Sequence, residues 1–168
     1  MNIKDLHNKF LECNSTLDID SRSIRKGSMF FAIKGENFDG NKFANEALKK
    51  GAKIAVIDSD DVSFNYDKNI IKVNDSLKTL QELALFHRKS VKSKILAITG
   101  SNGKTTTKEL IHSVLSTSYK TISTDGNFNN HIGVPLSLLR IKDDTEFSVI
   151  ELGANNFGEI EILSKISE

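Results

Sequence analysis

Short apolar runs alternate with stretches of helical spacing along most of this chain, and that alternation restricts the fold more than any other feature. "MFFAI" (29–33), "KIAVID" (53–58), "NIIKV" (69–73), "KILAIT" (94–99), "YKTIST" (119–124) and "FSVIEL" (147–152) read as strands. Residues 41–52 read as a helix, with Phe43, Ala44, Ala47 and Leu48 on one face and Lys49, Lys50 and Gly51 as its stop. A second helix is expected over 77–90, capped by Ser76, with Leu77, Leu80, Leu83, Ala84 and His87 sharing a face. Others are expected from about 103 to 118, at 134–140, and from 158 to 166. Strands that alternate with helices build parallel sheets with crossover connections, so the fold class is α/β.

The charged stretch "RKSVKSK" (88–94) divides the pattern. Residues 1–91 read as a small α/β domain, and residues 92–168 as the first part of a P-loop-type parallel-sheet domain. Its three strands are fewer than such sheets use to cover both faces, so this second domain is expected to be truncated.

Composition removes several function classes. Lys plus Arg number 23 and Asp plus Glu 22, so no basic field exists to hold nucleic acid. Cys13 is alone and cannot form an internal disulfide, which agrees with a reducing cytoplasm. "MNIKDLHNKF" carries charges where a secretory leader needs an apolar core, and no apolar run approaches membrane length. A cytoplasmic monomer without membrane insertion is expected.

Three stretches carry candidate chemistry. In "ILAITGSNGKTTTKEL" (95–110) a buried-type strand breaks on Gly100 and Gly103, presents Lys104 and three threonines, then turns helical. Backbone N–H groups of Gly100, Ser101, Asn102, Gly103, Lys104 and Thr105 can converge on a phosphate there, with Thr106 following. Lys104 adds a point charge for the outer phosphates, and the Thr105 hydroxyl suits magnesium. The common P-loop pattern places a glycine five positions before Gly103, where this chain has Ile98, so the loop is of a shorter kind. "DGNFNNHIGVP" (125–135) is either a turn-rich loop or a set of hydrogen-bonding side chains, Asn127, Asn129 and Asn130. His131 in the same loop is a candidate ligand or acid, although a loop histidine is more often simply solvated. In "VIELGANNFGE" (149–159), Glu151 ends an apolar strand at the sheet edge where α/β ligands bind, and a carboxylate there suits magnesium brought by a nucleoside triphosphate. A weaker signal lies in "DIDSRSIRKGSMFFAIKGENFDG" (18–40), where Ser21 and Arg22 on a loop can hold a diphosphate.

With these stretches in hand, the sequence resembles the Mur ligase family of bacterial cell-wall synthesis. That family's compact loop, T-G-[ST]-x-G-K-[ST]-[ST], matches "TGSNGKTT" (99–106). "GNFNNHIGVPLSLL" (126–139) and "IELGANNFGEI" (150–160) resemble the two blocks that follow, in order, and residues 20–52 resemble its UDP-substrate domain. Asn41 stands where the family commonly has histidine after Asp-Gly, and Asn156 replaces another histidine.

The resemblance implies an ATP- and magnesium-dependent amide ligase. The blocks favour the branch that joins D-alanyl-D-alanine to UDP-N-acetylmuramoyl-tripeptide in peptidoglycan precursor synthesis. The branch adding the third amino acid, or a non-catalytic nucleotide- or UDP-sugar-binding module, are the alternatives. By this resemblance Lys104 steadies the outer phosphates, and Asn127 and Asn130 join the loop around the nucleotide. Thr105, Thr124 and Glu151 hold magnesium. Ser21 and Arg22 face the UDP diphosphate, with Gly35, Asp39 and Gly40 shaping that pocket. The family's remaining catalytic lysine, histidine and third domain are expected beyond Glu168, so this length alone is expected to be inactive.

Overall fold

The computed structural model describes residues 1–35, 38–60 and 68–168. These divide into two compact units, Met1–Leu80 and Gln81–Glu168.

The first unit begins with α1 (Ile3–Glu12), whose amino end is capped by the Asn2 side chain accepting from the Asp5 N–H at 2.8 Å. β1 (Leu17–Asp18), β2 (Met29–Phe31), β5 (Ile54–Ile57) and β6 (Ile70–Lys72) form a parallel sheet in the order β1-β2-β5-β6. A short antiparallel pair, β3 (Lys34–Gly35) and β4 (Phe38–Asp39), lies between β2 and a 3₁₀ turn at Gly40–Phe43 that leads into α2 (Ala44–Lys49). The register Phe30↔Ala55 sets alternate residues of β2 and β5 on one face, where Phe30, Ala55 and Ile57 pack with Ala44, Ala47 and Ala52. Small residues on α2 let it approach the sheet, and Phe43, Leu48 and Ile24 close the edge of that cluster. Met29, Phe31, Ile54 and Val56 are buried as well, so both sheet faces are covered and β2 and β5 are apolar throughout. Each fully buried Phe or Ile side chain there contributes about 1.5–3 kcal/mol.

The boundary between the units falls inside α3 (Ser76–Ser90). The second unit holds β7 (Lys94–Ile98), α4 (Lys104–Leu115), β8 (Thr121–Ser123), α5 (Gly133–Leu138), β9 (Phe147–Glu151) and α6 (Glu159–Ser167). Its parallel sheet has the order β7-β9-β8. α4 packs against all three strands, while α5 packs on β9 and α6, and α6 reaches β7. Val134, Leu138, Ile141, Val149, Ile150, Leu163 and Ile166 form the buried apolar part. Gly133 is required where α5 begins, because a Cβ there would stand 2.3 Å from the Phe128 carbonyl carbon. The strand order carries Ile98, Ser123 and Glu151 to the same edge of the sheet.

The structure corrects several local expectations. Asp75, not Ser76, caps α3: its carboxylate accepts from the Lys78 N–H at 2.8 Å, and the Ser76 hydroxyl is buried without a hydrogen-bond partner among the described residues. The helix expected over 41–52 is split, since the 3₁₀ turn must swing the chain from β4 before α2 can form. "MFFAI" is a strand only over Met29–Phe31, because the Gly40 N–H bonds the Ile33 carbonyl and turns the chain there. α1, β1 and the β3–β4 pair were not foreseen, the strands being only two residues long.

A polar latch closes the first unit. The buried Asn41 carboxamide donates to Asp39 (2.7 Å) and Asp58 (2.8 Å) and accepts the Asp58 N–H (3.0 Å). Asp58 also accepts from Lys34 Nζ at 2.9 Å and from the Ser76 N–H at 3.2 Å. Burial alone would raise the Asp58 pKa, but the bonds from Lys34, Asn41 and Ser76 outweigh it and hold the carboxyl below its ordinary value. A depressed carboxylate stabilises the fold above its unfolded pKa of about 4 and loses that contribution as pH falls through the folded value. Asn41→Ala should therefore cost about 1–3 kcal/mol in urea unfolding at pH 7. Asp58→Asn should remove part of the stability decline seen between neutral and acid pH. Unchanged midpoints in both variants would show that the latch contributes nothing.

Candidate functional site

Ile98 ends β7, and the chain then crosses Gly100, Ser101, Asn102 and Gly103 before α4 starts at Lys104. Gly103 adopts φ 76°, a left-handed conformation that turns the chain sharply into the helix. It offers no side chain to cap α4, and no acidic residue occupies the first turn. The amino end of this 12-residue helix thus presents free N–H groups and the positive end of its dipole.

These groups face a cleft of about 370 Å³ lined by Ser101, Asn102, Gly103, Lys104, Thr105, Thr106, Asn129 and Glu151. The parallel register pairs Ile98 with Glu151, which brings the carboxylate beside the loop. Glu151 is only 2% exposed. Its Oε2 accepts from the Thr105 hydroxyl at 3.0 Å and its Oε1 from Asn129 Nδ2 at 2.7 Å. Lys104 Nζ folds back onto the Gly100 carbonyl at 2.7 Å, so the loop supplies the acceptor that a phosphate would replace.

Of the three asparagines in this loop, the resemblance assigned Asn127 and Asn130 to the nucleotide, whereas Asn129 is the one that lines the cleft. Asn129 reaches the cleft; its carbonyl accepts the Gly153 N–H at 2.7 Å, and a Cβ on Gly153 would stand 2.7 Å from its side chain. Asn130 instead accepts the N–H groups of Ile132 (3.1 Å) and Gly133 (2.9 Å), which starts α5. Asn127 is exposed and does not line the cleft. Thr124 is buried behind Glu151, where its hydroxyl accepts the Glu151 N–H at 3.0 Å. His131 is exposed, its carbonyl accepting from Gln81 Nε2 at 3.0 Å. Asn156 bonds Glu159 Oε1 at 2.8 Å at the start of α6.

The residues assigned to the first unit are placed separately. Ser21 is buried, with its carbonyl accepting from Lys50 Nζ at 2.9 Å. The exposed Arg22 guanidinium lies on Asp20 through Nε (2.9 Å) and Nη2 (2.7 Å). Those hydrogen bonds hold the Asp20 carboxyl down at about 2. Gly35 is exposed on β3, and Asp39 accepts the Asn41 N–H at 3.0 Å. Gly40 lies against the Ile33 backbone, where a Cβ would stand 2.7 Å from the carbonyl oxygen. Asn41 is thus committed to the latch with Asp39 and Asp58.

Comparison with known proteins meets the same two halves. Residues 15–88 match the catalytic-domain family model of Mur ligases, and residues 98–168 match the Mur ligase middle domain. The chain belongs to the Mur ligase family. It is 40% identical over 148 residues to UDP-N-acetylmuramoyl-tripeptide--D-alanyl-D-alanine ligase of Bacillus subtilis (strain 168), covering 88% of this chain and 32% of that protein. Among solved structures, MurF from Acinetobacter baumannii superposes with a TM-score of 0.81 at 37% identity, over 90% of this chain and 33% of that one. MurF ligase from Thermotoga maritima in complex with ADP gives 0.79 at 35% identity, over 90% and 35%. This chain therefore spans about a third of the length of the relatives it matches.

Both partners of the buried Glu151 carboxylate, Thr105 and Asn129, are neutral. A buried charge held only by neutral donors costs stability. Glu151→Gln should raise the melting temperature in metal-free buffer, by roughly 2–4 °C for each kcal/mol recovered. Thermal melts in EDTA test this, and a lower melting temperature for the variant would overturn it.

Proposed function

We propose that this chain carries the nucleotide-binding part of an ATP-dependent amide ligase of the MurF type, which joins D-alanyl-D-alanine to UDP-N-acetylmuramoyl-tripeptide. The observation that carries the reading is the uncapped amino end of α4 facing Glu151 and Asn129 across one cleft. In this reaction the terminal carboxylate of the peptide attacks the γ-phosphorus and ADP departs. The dipeptide amine then attacks the acyl carbon, and phosphate leaves.

The free N–H groups of Lys104, Thr105 and Thr106 bind phosphate oxygens, and Lys104 exchanges the Gly100 carbonyl for the outer phosphates. Catalysis of this class rests on positioning and charge neutralisation, which rigid backbone donors supply without reorganisation. The donor chemistry suits magnesium: the Thr105 hydroxyl and the Glu151 carboxylate are hard oxygen ligands 3.0 Å apart. Magnesium takes one or two carboxylates and completes its shell with phosphates and water. Among the described residues no group of three or more His, Cys, Asp or Glu forms an alternative cage. When bound, the ion neutralises charge on the transferring phosphoryl group. Thr105 and Glu151 hold it, while Thr124 backs Glu151 through the main chain.

The first unit is assigned to the UDP end of the substrate. Arg22 exchanges Asp20 for the diphosphate; the pair is exposed, so the exchange costs little. Ser21, Gly35, Asp39 and Gly40 shape that region. Among the described residues no helix is long and apolar enough to cross a membrane. The enzyme is assigned to the cytoplasm, where its nucleotide substrates are made, and acts as a monomer.

The expected outcome is that the 168-residue chain binds ADP without releasing phosphate from ATP when both peptide substrates are added. In a ligase of full family length, Lys104→Ala should lower turnover about a hundredfold, the usual loss when a charge-stabilising donor is deleted. Its melting temperature and its affinity for UDP-tripeptide should stay near those of the parent. Near-normal turnover, or activity lost only through unfolding, would reject the assignment.

A further inference from the structure

α4 has 12 residues, and its one buried residue is a lysine. Leu110 and Val114 lie on the opposite side of the helix from Lys108 and are 63% and 69% exposed. Lys108 is 0% exposed. A fully buried ammonium is costly unless it is hydrogen-bonded and paired, and an apolar side chain of similar size would fill the same space at lower cost. The ammonium donates to the Thr124 carbonyl at 2.7 Å and lies 2.9 Å from Glu109 Oε1, itself 60% exposed.

The acceptor matters more than the pair. β8 ends at Ser123, and Thr124 is held from three directions. Its N–H bonds the Val149 carbonyl at 3.0 Å, its carbonyl receives Lys108, and its hydroxyl accepts the Glu151 N–H at 3.0 Å. Glu151 in turn holds Thr105, which sits on α4 one turn before Lys108. The bonds therefore close a ring from α4 to the end of β8, to the end of β9, and back to α4.

We propose that Lys108 is a positioning residue for the cation side of the cleft: through Thr124 it fixes the Glu151 carboxylate against Thr105. This inference rests on the nucleotide–magnesium reading above. Lys108 is buried and does not line the cleft. It sets the spacing of the two oxygen donors, so its effect should fall on cation-dependent binding and spare the phosphate contacts of Lys104 and the loop. Partners one shell out from a metal commonly change its affinity 10–100-fold, and Lys108, one bond further out behind Thr124, is expected at the low end of that range.

The test is calorimetric titration of the 168-residue chain with ADP, in magnesium and separately in EDTA, alongside thermal melts. Lys108→Met should bind ADP in EDTA within about twofold of the parent, while the enhancement by magnesium falls about tenfold. Thr124→Val keeps the carbonyl for Lys108 but removes the hydroxyl that holds Glu151, and it should lose the enhancement to a similar degree. Lys104→Ala should differ, weakening ADP binding with and without magnesium. Parent-like enhancement in Lys108→Met, or an equal loss in EDTA and magnesium, would overturn the proposal. If Lys108→Met fails to fold, full enhancement in Thr124→Val overturns it instead. A parent chain with no ADP affinity would sink the nucleotide reading and this inference with it, whereas a binding parent with an unaffected Lys108→Met sinks this inference alone.

Discussion

The pairing of β9 between β7 and β8 sets almost every distance in the cleft. Ile98 lies opposite Glu151 in one ladder, and Ser123 lies opposite Val149 in the other. The ladders continue one bond past each strand, from the Leu152 N–H to Ile98 and from the Thr124 N–H to Val149. Because side chains alternate faces along a strand, a slip of one residue would present Ile150 or Leu152 to the loop in place of the carboxylate. The slip is opposed by burial of Val149 and Ile150, both 0% exposed. The hydrophobic pattern of β9 thus holds a charged group in register.

The charged groups of the molecule fall into two kinds. Lys104 rests on a carbonyl of its own loop, and Arg22 rests on Asp20. Neither pair is deeply buried, so each bond is held loosely against water. Glu151 and Lys108 are the opposite case. They are buried, and their bonds fix geometry in the low-dielectric interior, where a misplaced charge is most costly.

Much of this could be read from residue order. "KILAIT" followed by Gly-Ser-Asn-Gly-Lys-Thr announces a strand, a tight loop and a helix start, because glycine and β-branched residues restrict the backbone locally. Glu151, alone at the end of an apolar run, marks itself for the same reason. The elements that escaped notice are those made by partners distant in sequence. Two-residue strands such as β1 and β3 carry no period to detect. The 3₁₀ turn at Gly40–Phe43 is held by Asn41 reaching Asp58, 17 positions away. The cap of α3 went to Asp75 where Ser76 was expected, because Ser76 lends its N–H to Asp58 and its side chain is turned inward.

The sequence by itself determined the alternation of strands and helices, the glycine-rich loop that leads into Lys104 and Thr105, and the carboxylate at position 151. Each of these follows from local conformational preference and periodicity. Only the tertiary structure decided which asparagine serves the cleft: Asn129 turns inward because Gly153 leaves room for it, while Asn130 is taken by the start of α5. Only the tertiary structure distinguished Lys108 from Lys104, the other lysine of this helix, four residues before it and on the same face. A lysine on a helix reads as solvated; its burial depends on a carbonyl that the parallel sheet delivers 16 residues later in the chain.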